Sequence, residues 1–183
     1  MKLLVCISKV PDTTSKINFV DNNTKFDESG VQYIVNPYDE WYALVRALEL
    51  VEKHGGTVTT ITVGTNADDP TIRKALAIGA NDAVRIDANP SDPYFVAKQI
   101  ADYAANESFD VILTGKETIN YNGSQIGGMV AELLDMPFVS LGTKLDIEGD
   151  LATLERDVQG GIEVIEVSTP FVVSASKGMA EQR

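Results

Sequence analysis

The chain has 183 residues, with 15 Lys+Arg against 27 Asp+Glu and a single His, giving a formal charge of −12. A chain of this length buries about 70% of its unfolded surface, enough for one domain spanning residues 1–183, and 44% apolar residues argue against disorder. One Cys allows no internal disulfide and no Cys-cluster metal site, one His allows no poly-His centre, and the acidic balance speaks against nucleic acid as the main partner.

Lys2 to Ser8 is a near-continuous apolar run and predicts a strand buried on both faces. Val10 to Val35 carries turn signals at PDTT, DNNT and ESG and reads as a long excursion with one irregular hairpin. In NPYDEWYALVRALELVEKHGG, Asn36 is placed to cap a helix, Pro37 at its first position, and Asp39 and Glu40 in its first turn. Trp41, Leu44, Val45 and Leu48 make one apolar stripe, and Gly55-Gly56 ends the helix just after His54. A strand follows at Thr57 to Val63, then a helix from Asp69-Pro70 to Gly79. Next come a short strand at Asp82 to Ile86 and a helix opened by Asp92-Pro93, with Val96, Ile100 and Tyr103 inward. Asp110 to Thr114 is another buried strand, a polar loop leads into a helix ending at Leu134, and Phe138 to Leu141 is a strand.

This alternation predicts a doubly wound α/β fold, a mostly parallel sheet with helices on both faces. Beyond Thr143 the pattern changes: LDIEG, LATLERDV, GGIEVIEV and PFVVSA predict an antiparallel meander over 143–175, with turns at Gly149-Asp150 and Gly160-Gly161. No apolar run approaches the ~20 residues of a membrane span. MKLLVCISKVPD lacks the apolar core of a signal peptide, so a cytoplasmic protein without direct membrane insertion is expected.

In such a sheet a ligand binds beyond the carboxyl ends of the strands where strand order reverses, here between the first strand and Asp110 to Thr114. The loop after the latter, TGKETINYNGSQIGG, opens a helix, and free amides at a helix start favour an anion. Gly127 and Gly128 read as allowing close backbone approach, so a phosphate-bearing nucleotide is expected; a tight connection with no ligand is the alternative. The loop is neither a Walker A motif nor a dinucleotide fingerprint. Cys6 reads as a buried strand residue rather than a nucleophile, and His54 as a cation at a helix C-terminus. No catalytic constellation stands out, which points to a carrier or binding protein rather than an enzyme.

The motifs LLVCISKVPDT, YIVNPYDEWYALVRALEL, TIRKALAIGAND, TGKETINYNGSQIGGMVAELL, RDVQGGIEV and TPFVVSASKG occur in order along the chain. Together they resemble the β subunits of electron transfer flavoproteins. The resemblance implies an electron carrier in a heterodimer with an α subunit, which binds most of the FAD. The implied donors are dehydrogenases such as acyl-CoA dehydrogenases, and the implied acceptor is a quinone oxidoreductase feeding the respiratory chain. It also implies an adenine nucleotide within this subunit, AMP or, in electron-bifurcating members, a second FAD.

Carried over by position, Cys6 and Val63 would meet the base through their backbone, and Asn36, Pro37, Tyr38 and Asp39 would flank base and ribose. Gly115, Lys116, Asn120, Tyr121, Asn122, Gly123, Ser124, Gln125, Ile126 and Gly127 would complete the site, the amides of Gly123 to Ile126 holding the phosphate. Gly127→Asp is then expected to expel the nucleotide. Asn120 and Asn122 stand where many members carry carboxylates, which leaves AMP and FAD both open. Family members continue past Arg183 into a partner-recognition loop and C-terminal arm, so a chain ending there is expected to dock poorly with dehydrogenases. An adenine-nucleotide-binding regulatory protein resembling universal stress proteins is the competing reading, though its GxxG-type loop and distant G[ST] motif are not found.

Overall fold

A computed structural model describes residues 1–181; the expectation attached to Arg183 lies outside the described residues. The chain opens with β1 (Lys2–Cys6), β2 (Lys9–Pro11), β3 (Phe19–Val20), β4 (Lys25–Phe26) and β5 (Tyr33–Val35). Then come α1 (Asp39–His54), β6 (Thr57–Gly64), α2 (Asp69–Ile78), β7 (Asp82–Asp87), α3 (Pro93–Ala104), β8 (Val111–Gly115) and α4 (Ile126–Leu134). The chain finishes with β9 (Phe138–Glu148), β10 (Leu151–Val158), β11 (Gly161–Ser168) and β12 (Phe171–Ala175).

One eight-stranded sheet runs in the order β11-β10-β9-β12-β8-β1-β6-β7. β1, β6, β7, β8 and β12 pair in parallel, and β9, β10 and β11 form the antiparallel extension. α1 and α2 cover one face, where Leu3, Val5, Leu44, Leu48 and Ala75 share a core. On the opposite face Leu4, Cys6, Ala97, Ile100 and Val130 form a second core beneath α3 and α4. β1 thus sends alternate side chains into both cores, as its continuous apolar run predicts. Asp92 caps α3 by accepting from the Phe95 N–H at 2.9 Å, and His54 closes α1.

Four local expectations are corrected. The excursion forms two antiparallel ribbons, β2–β5 and β3–β4, rather than one hairpin. Trp41 is only half-buried and lines a cavity of ≈ 410 Å³ with Tyr33, Pro37 and Pro70, while the core stripe of α1 begins at Tyr42. Phe138 to Glu148 is one long strand: Leu141, at φ 59°, and a register shift against β12 bend it out of the parallel core into the extension. The fourth concerns PFVVSA. It is not the last limb of the meander, because β12 re-enters the sheet between β8 and β9, parallel to both and buried at every residue. Its unbroken apolar run is the signature of an interior parallel strand, whereas β11 alternates and is largely exposed.

Burial therefore separates two positions that share a β-rich sequence context. Phe171 is fully buried and Ile162 is 63% exposed. Phe171→Ala should lower the unfolding free energy by about 3–5 kcal/mol and Ile162→Ala by less than about 0.5 kcal/mol, measured by denaturant titration.

Candidate functional site

β1 passes to β6 on one side, and β8 lies on its other side, so strand order reverses between β1 and β8 as expected. The ends of these strands are roofed by the start of α1. The Glu40 carboxylate accepts from the Ser8 N–H at 2.8 Å and from the Ser8 hydroxyl at 2.8 Å, tying α1 to the end of β1. At the end of β8, Gly115 lets α1 press close. A Cβ there would lie 2.7 Å from Glu40 Cγ and 2.9 Å from the Glu40 backbone nitrogen. Burial pushes the Glu40 carboxyl up to about 8, against the opposing pull of the Ser8 hydrogen bonds. Burial, reinforced by the charge of Glu40, raises the Cys6 thiol far above its ordinary range, in keeping with a buried strand residue.

Asn36 does not cap α1. The helix begins at Asp39, with Tyr38 in the cap position and no side-chain cap. Instead Asn36, fully buried, donates its amide to the Glu117 carbonyl at 2.8 Å and accepts from the Ile119 N–H at 3.2 Å. Its side chain pins the loop after β8 against the start of α1. Asp39 joins this clamp: burial raises its carboxyl, while the Lys116 ammonium and the Glu117 N–H oppose the rise. Lys116 itself pairs with Glu117 at 3.0 Å.

Beyond the clamp the loop is open. Asn120 through Gln125 are exposed, Tyr121 at 84%. Asn122 and Ser124 take positive φ, 50° and 52°, on either side of Gly123, and Gln125 is right-handed. Alternating handedness turns successive amides toward one side, a shape that suits an anion, and holding Ser in this region costs about 1 kcal/mol or more. α4 has no side-chain cap and no acidic residue in its first turn. The other three helices each have one or the other. The start of α4 is thus uncapped by its own residues, while the Glu117 carboxylate accepts from the Ser124 hydroxyl at 3.1 Å in the loop that leads into it. Beneath it, the Thr114 hydroxyl is buried without a hydrogen-bond partner.

Cys6 ends β1 and Val63 lies one residue before the end of the adjacent β6, and both pack in the core that Ile126 borders. Asn36, ahead of α1, meets the loop after β8 at Glu117 and Ile119. Gly127 differs from expectation. It is buried, and a Cβ there would lie 2.7 Å from Thr114 Oγ1 and 2.9 Å from the Phe138 ring, so its bareness seats α4 against β8 and β9. Gly127→Asp would disturb that packing whether or not a nucleotide binds. Of the expected contacts, only Pro37 lines either of two cavities, the one beside Trp41 and another of ≈ 340 Å³ in the 12–32 arm. Sequence reasoning missed Glu40, Ser8 and Thr114. A signal for Glu40 existed: it stands on the same helical stripe as Ala43, Leu44 and Ala47, all buried.

Comparison with known proteins adds the family. The model of the electron transfer flavoprotein domain matches residues 23–182. This chain belongs to the electron transfer flavoprotein family, among its β subunits. The electron transfer flavoprotein subunit beta of Bacillus subtilis is 40% identical over 100% of this chain and 72% of its own length. The human protein of the same name is 32% identical over 100% of this chain and 74% of its own. Protein FixA of Azotobacter vinelandii is 32% identical, with 100% and 68% covered. Family membership makes the chain a component of flavin-dependent electron transport and favours the carrier over the regulatory reading. No helix among the described residues is long and apolar enough to cross a membrane.

Glu40 gives the site a pH signature. Its native pKa lies near 8 against 4.5 when unfolded, so between those values the native state holds a proton that the unfolded state lacks. Stability therefore falls as pH rises from about 4.5 to about 8, and the full cost is present above that window. Glu40→Gln should flatten this slope. Thermal unfolding should find the variant more stable than wild type by a few kcal/mol at pH 8.5, at roughly 1.4 kcal/mol per unit of displacement. At pH 4.5 the two should differ little.

Proposed function

We propose that the chain is the β subunit of a heterodimeric electron transfer flavoprotein working in the cytoplasm. In this reading the α subunit carries most of the FAD, and this subunit steadies it while holding an adenine nucleotide of its own. Electrons arrive from dehydrogenases such as acyl-CoA dehydrogenases and leave to a quinone oxidoreductase of the respiratory chain. The chain's role is to transfer electrons rather than to catalyse a reaction by itself.

The observation that supports the nucleotide reading is the uncapped start of α4, joined to a loop of alternating handedness at the point where strand order reverses. The amides of Gly123 to Ile126 would hold a phosphate, and Gly127 lies one residue inside the helix. The buried Thr114 hydroxyl beneath that turn has hydrogen-bonding capacity to spare. Cys6 and Val63 would offer backbone to the base, and Asn36, Pro37, Tyr38 and Asp39 would border base and ribose. Gly115, Lys116 and Tyr121 complete the lining. Asn120 and Asn122 are neutral amides, so they add no repulsion toward phosphate, and the same crevice suits AMP or the AMP half of a second FAD.

Mass analysis of the ligand released from the heterodimer identifies the occupant. AMP is expected, a second FAD would mark a bifurcating member, and no nucleotide would overturn the reading. Gly123→Asp is the matching variant, because a Cβ at Gly123 meets nothing within 4 Å and its φ is not left-handed. It should fold normally and lose about tenfold or more in nucleotide affinity, through a negative charge set among the phosphate-facing amides. Unchanged occupancy would count against this loop.

A further inference from the structure

Asn122 is the asparagine of this chain that is followed by glycine. The pair lies in the loop between β8 and α4, and both residues are exposed. An Asn-Gly step carries a chemistry of its own. The backbone nitrogen of the second residue can attack the side-chain carbonyl of the first, and glycine obstructs that attack least because it has no Cβ. Asn36 and Asn89 show the opposite case, since each precedes a proline, which has no N–H.

The local structure leaves the attack open. The Gly123 N–H meets no acceptor among the described residues. A Cβ built on Gly123 would meet nothing within 4 Å, so the peptide joining 122 to 123 has room to turn. Asn122 is held at two other points. Its own N–H donates to the Thr118 carbonyl at 2.9 Å. Its side-chain amide stands as a donor beside the Glu117 carboxylate, which also accepts from the Ser124 hydroxyl at 3.1 Å. Neither contact engages the nitrogen of Gly123.

We propose that Asn122 is a spontaneous modification site, at which the Gly123 nitrogen closes a succinimide with the Asn122 side chain when no phosphate holds the loop. The Gly123 N–H gives its proton to solvent base, and its nitrogen bonds to Asn122 Cγ. The Cγ–Nδ2 bond breaks, and the nitrogen takes up a proton and leaves as ammonia. Water then opens the ring at either carbonyl. One opening gives aspartate, and the other gives an isoaspartyl link whose main chain runs through Cγ. An amide and water become a carboxylate and ammonium, with no oxidation or reduction. Both products set a carboxylate beside Glu117 where an amide donor stood, so a favourable contact becomes a repulsive one. The isoaspartyl product also inserts a methylene into the main chain just ahead of the amides of Gly123 to Ile126. The dependence on phosphate rests on the nucleotide reading above: a phosphate bound to the Gly123 N–H would occupy the nitrogen that must attack.

The test uses the full chain co-expressed with the α subunit and stripped of nucleotide. It is incubated at mildly alkaline pH with and without saturating AMP. Fragment mass spectra report amide-to-acid conversion at each asparagine, isoaspartyl methylation reports the rearranged link, and equilibrium dialysis reports AMP binding. Without AMP, conversion is expected at Asn122 ahead of Asn120, the exposed neighbour that precedes Tyr121. Gly123→Ala has room for its methyl group and should slow conversion about tenfold or more by obstructing the attack. Bound AMP should slow it to a similar degree. No conversion at Asn122, or an unchanged rate in Gly123→Ala, overturns the modification site and leaves the nucleotide reading standing. An unchanged rate while dialysis shows AMP bound overturns the protection by phosphate. Conversion at Asn122 in a protein that binds no AMP overturns the nucleotide reading and supports the modification site by itself.

Discussion

The docking of α1 across the ends of β1 and β8 is the constraint on which the rest of the site depends. Glu40 binds both the amide and the hydroxyl of Ser8, while Gly115 provides the bare backbone that lets the helix come so close. A carboxylate in this position is costly to ionise, and the two Ser8 contacts offset only some of the burial. The helix start also carries Asn36, whose two hydrogen bonds hold the loop after β8. One anchoring point thus sets the position of β1's end, β8's end and the loop together. A shift of α1 would move the ends of both strands and the loop at once.

On the nucleotide reading proposed above, an acidic chain would hold its anion mainly through backbone. Lys116, the cation carried by the loop itself, is engaged with Glu117, so side-chain charge contributes little. Attraction for a phosphate would come from backbone: the uncapped amides of α4 and the alternating turn before it. Dipoles held by a rigid scaffold act at short range and are barely affected by a net charge spread over the distant surface. Repulsion at −12 and attraction at one loop would therefore be compatible in the same molecule.

The two regions of the sheet serve different needs. The parallel region, closed on both faces by helices, supplies the rigidity that positions the strand ends and the loop after β8. The extension lies beyond most of that cover; Arg46 guards one of its edges and the other is bare. Leu141 and the register shift beside it mark the hinge between the regimes, and the Leu141 N–H donates to Ser174 Oγ at 2.9 Å to hold the bend.

Local chemistry wrote much of this into the chain. Apolar runs and caps located β1, β6, β8, α2 and α3 because hydrophobic period and capping act over a few residues. The alternation of strands and helices announced the parallel sheet, and the polar loop before α4 marked the candidate site. What the amino-acid order could not decide was partnership over long separations. PFVVSA pairs with strands some 30 and 60 residues away, and only the closed sheet shows that it fills the gap between β8 and β9. Asn36 looks like a cap until the loop around Glu117 is brought beside it, and Glu40 looks like an exposed first-turn acid until Ser8 and Gly115 close over it. Gly127 likewise reads as room for a ligand until Thr114 and Phe138 occupy that room. Short-range preference selects each element, but burial and the partner of every polar group are properties of the assembled layers, and those exist only once the chain has folded.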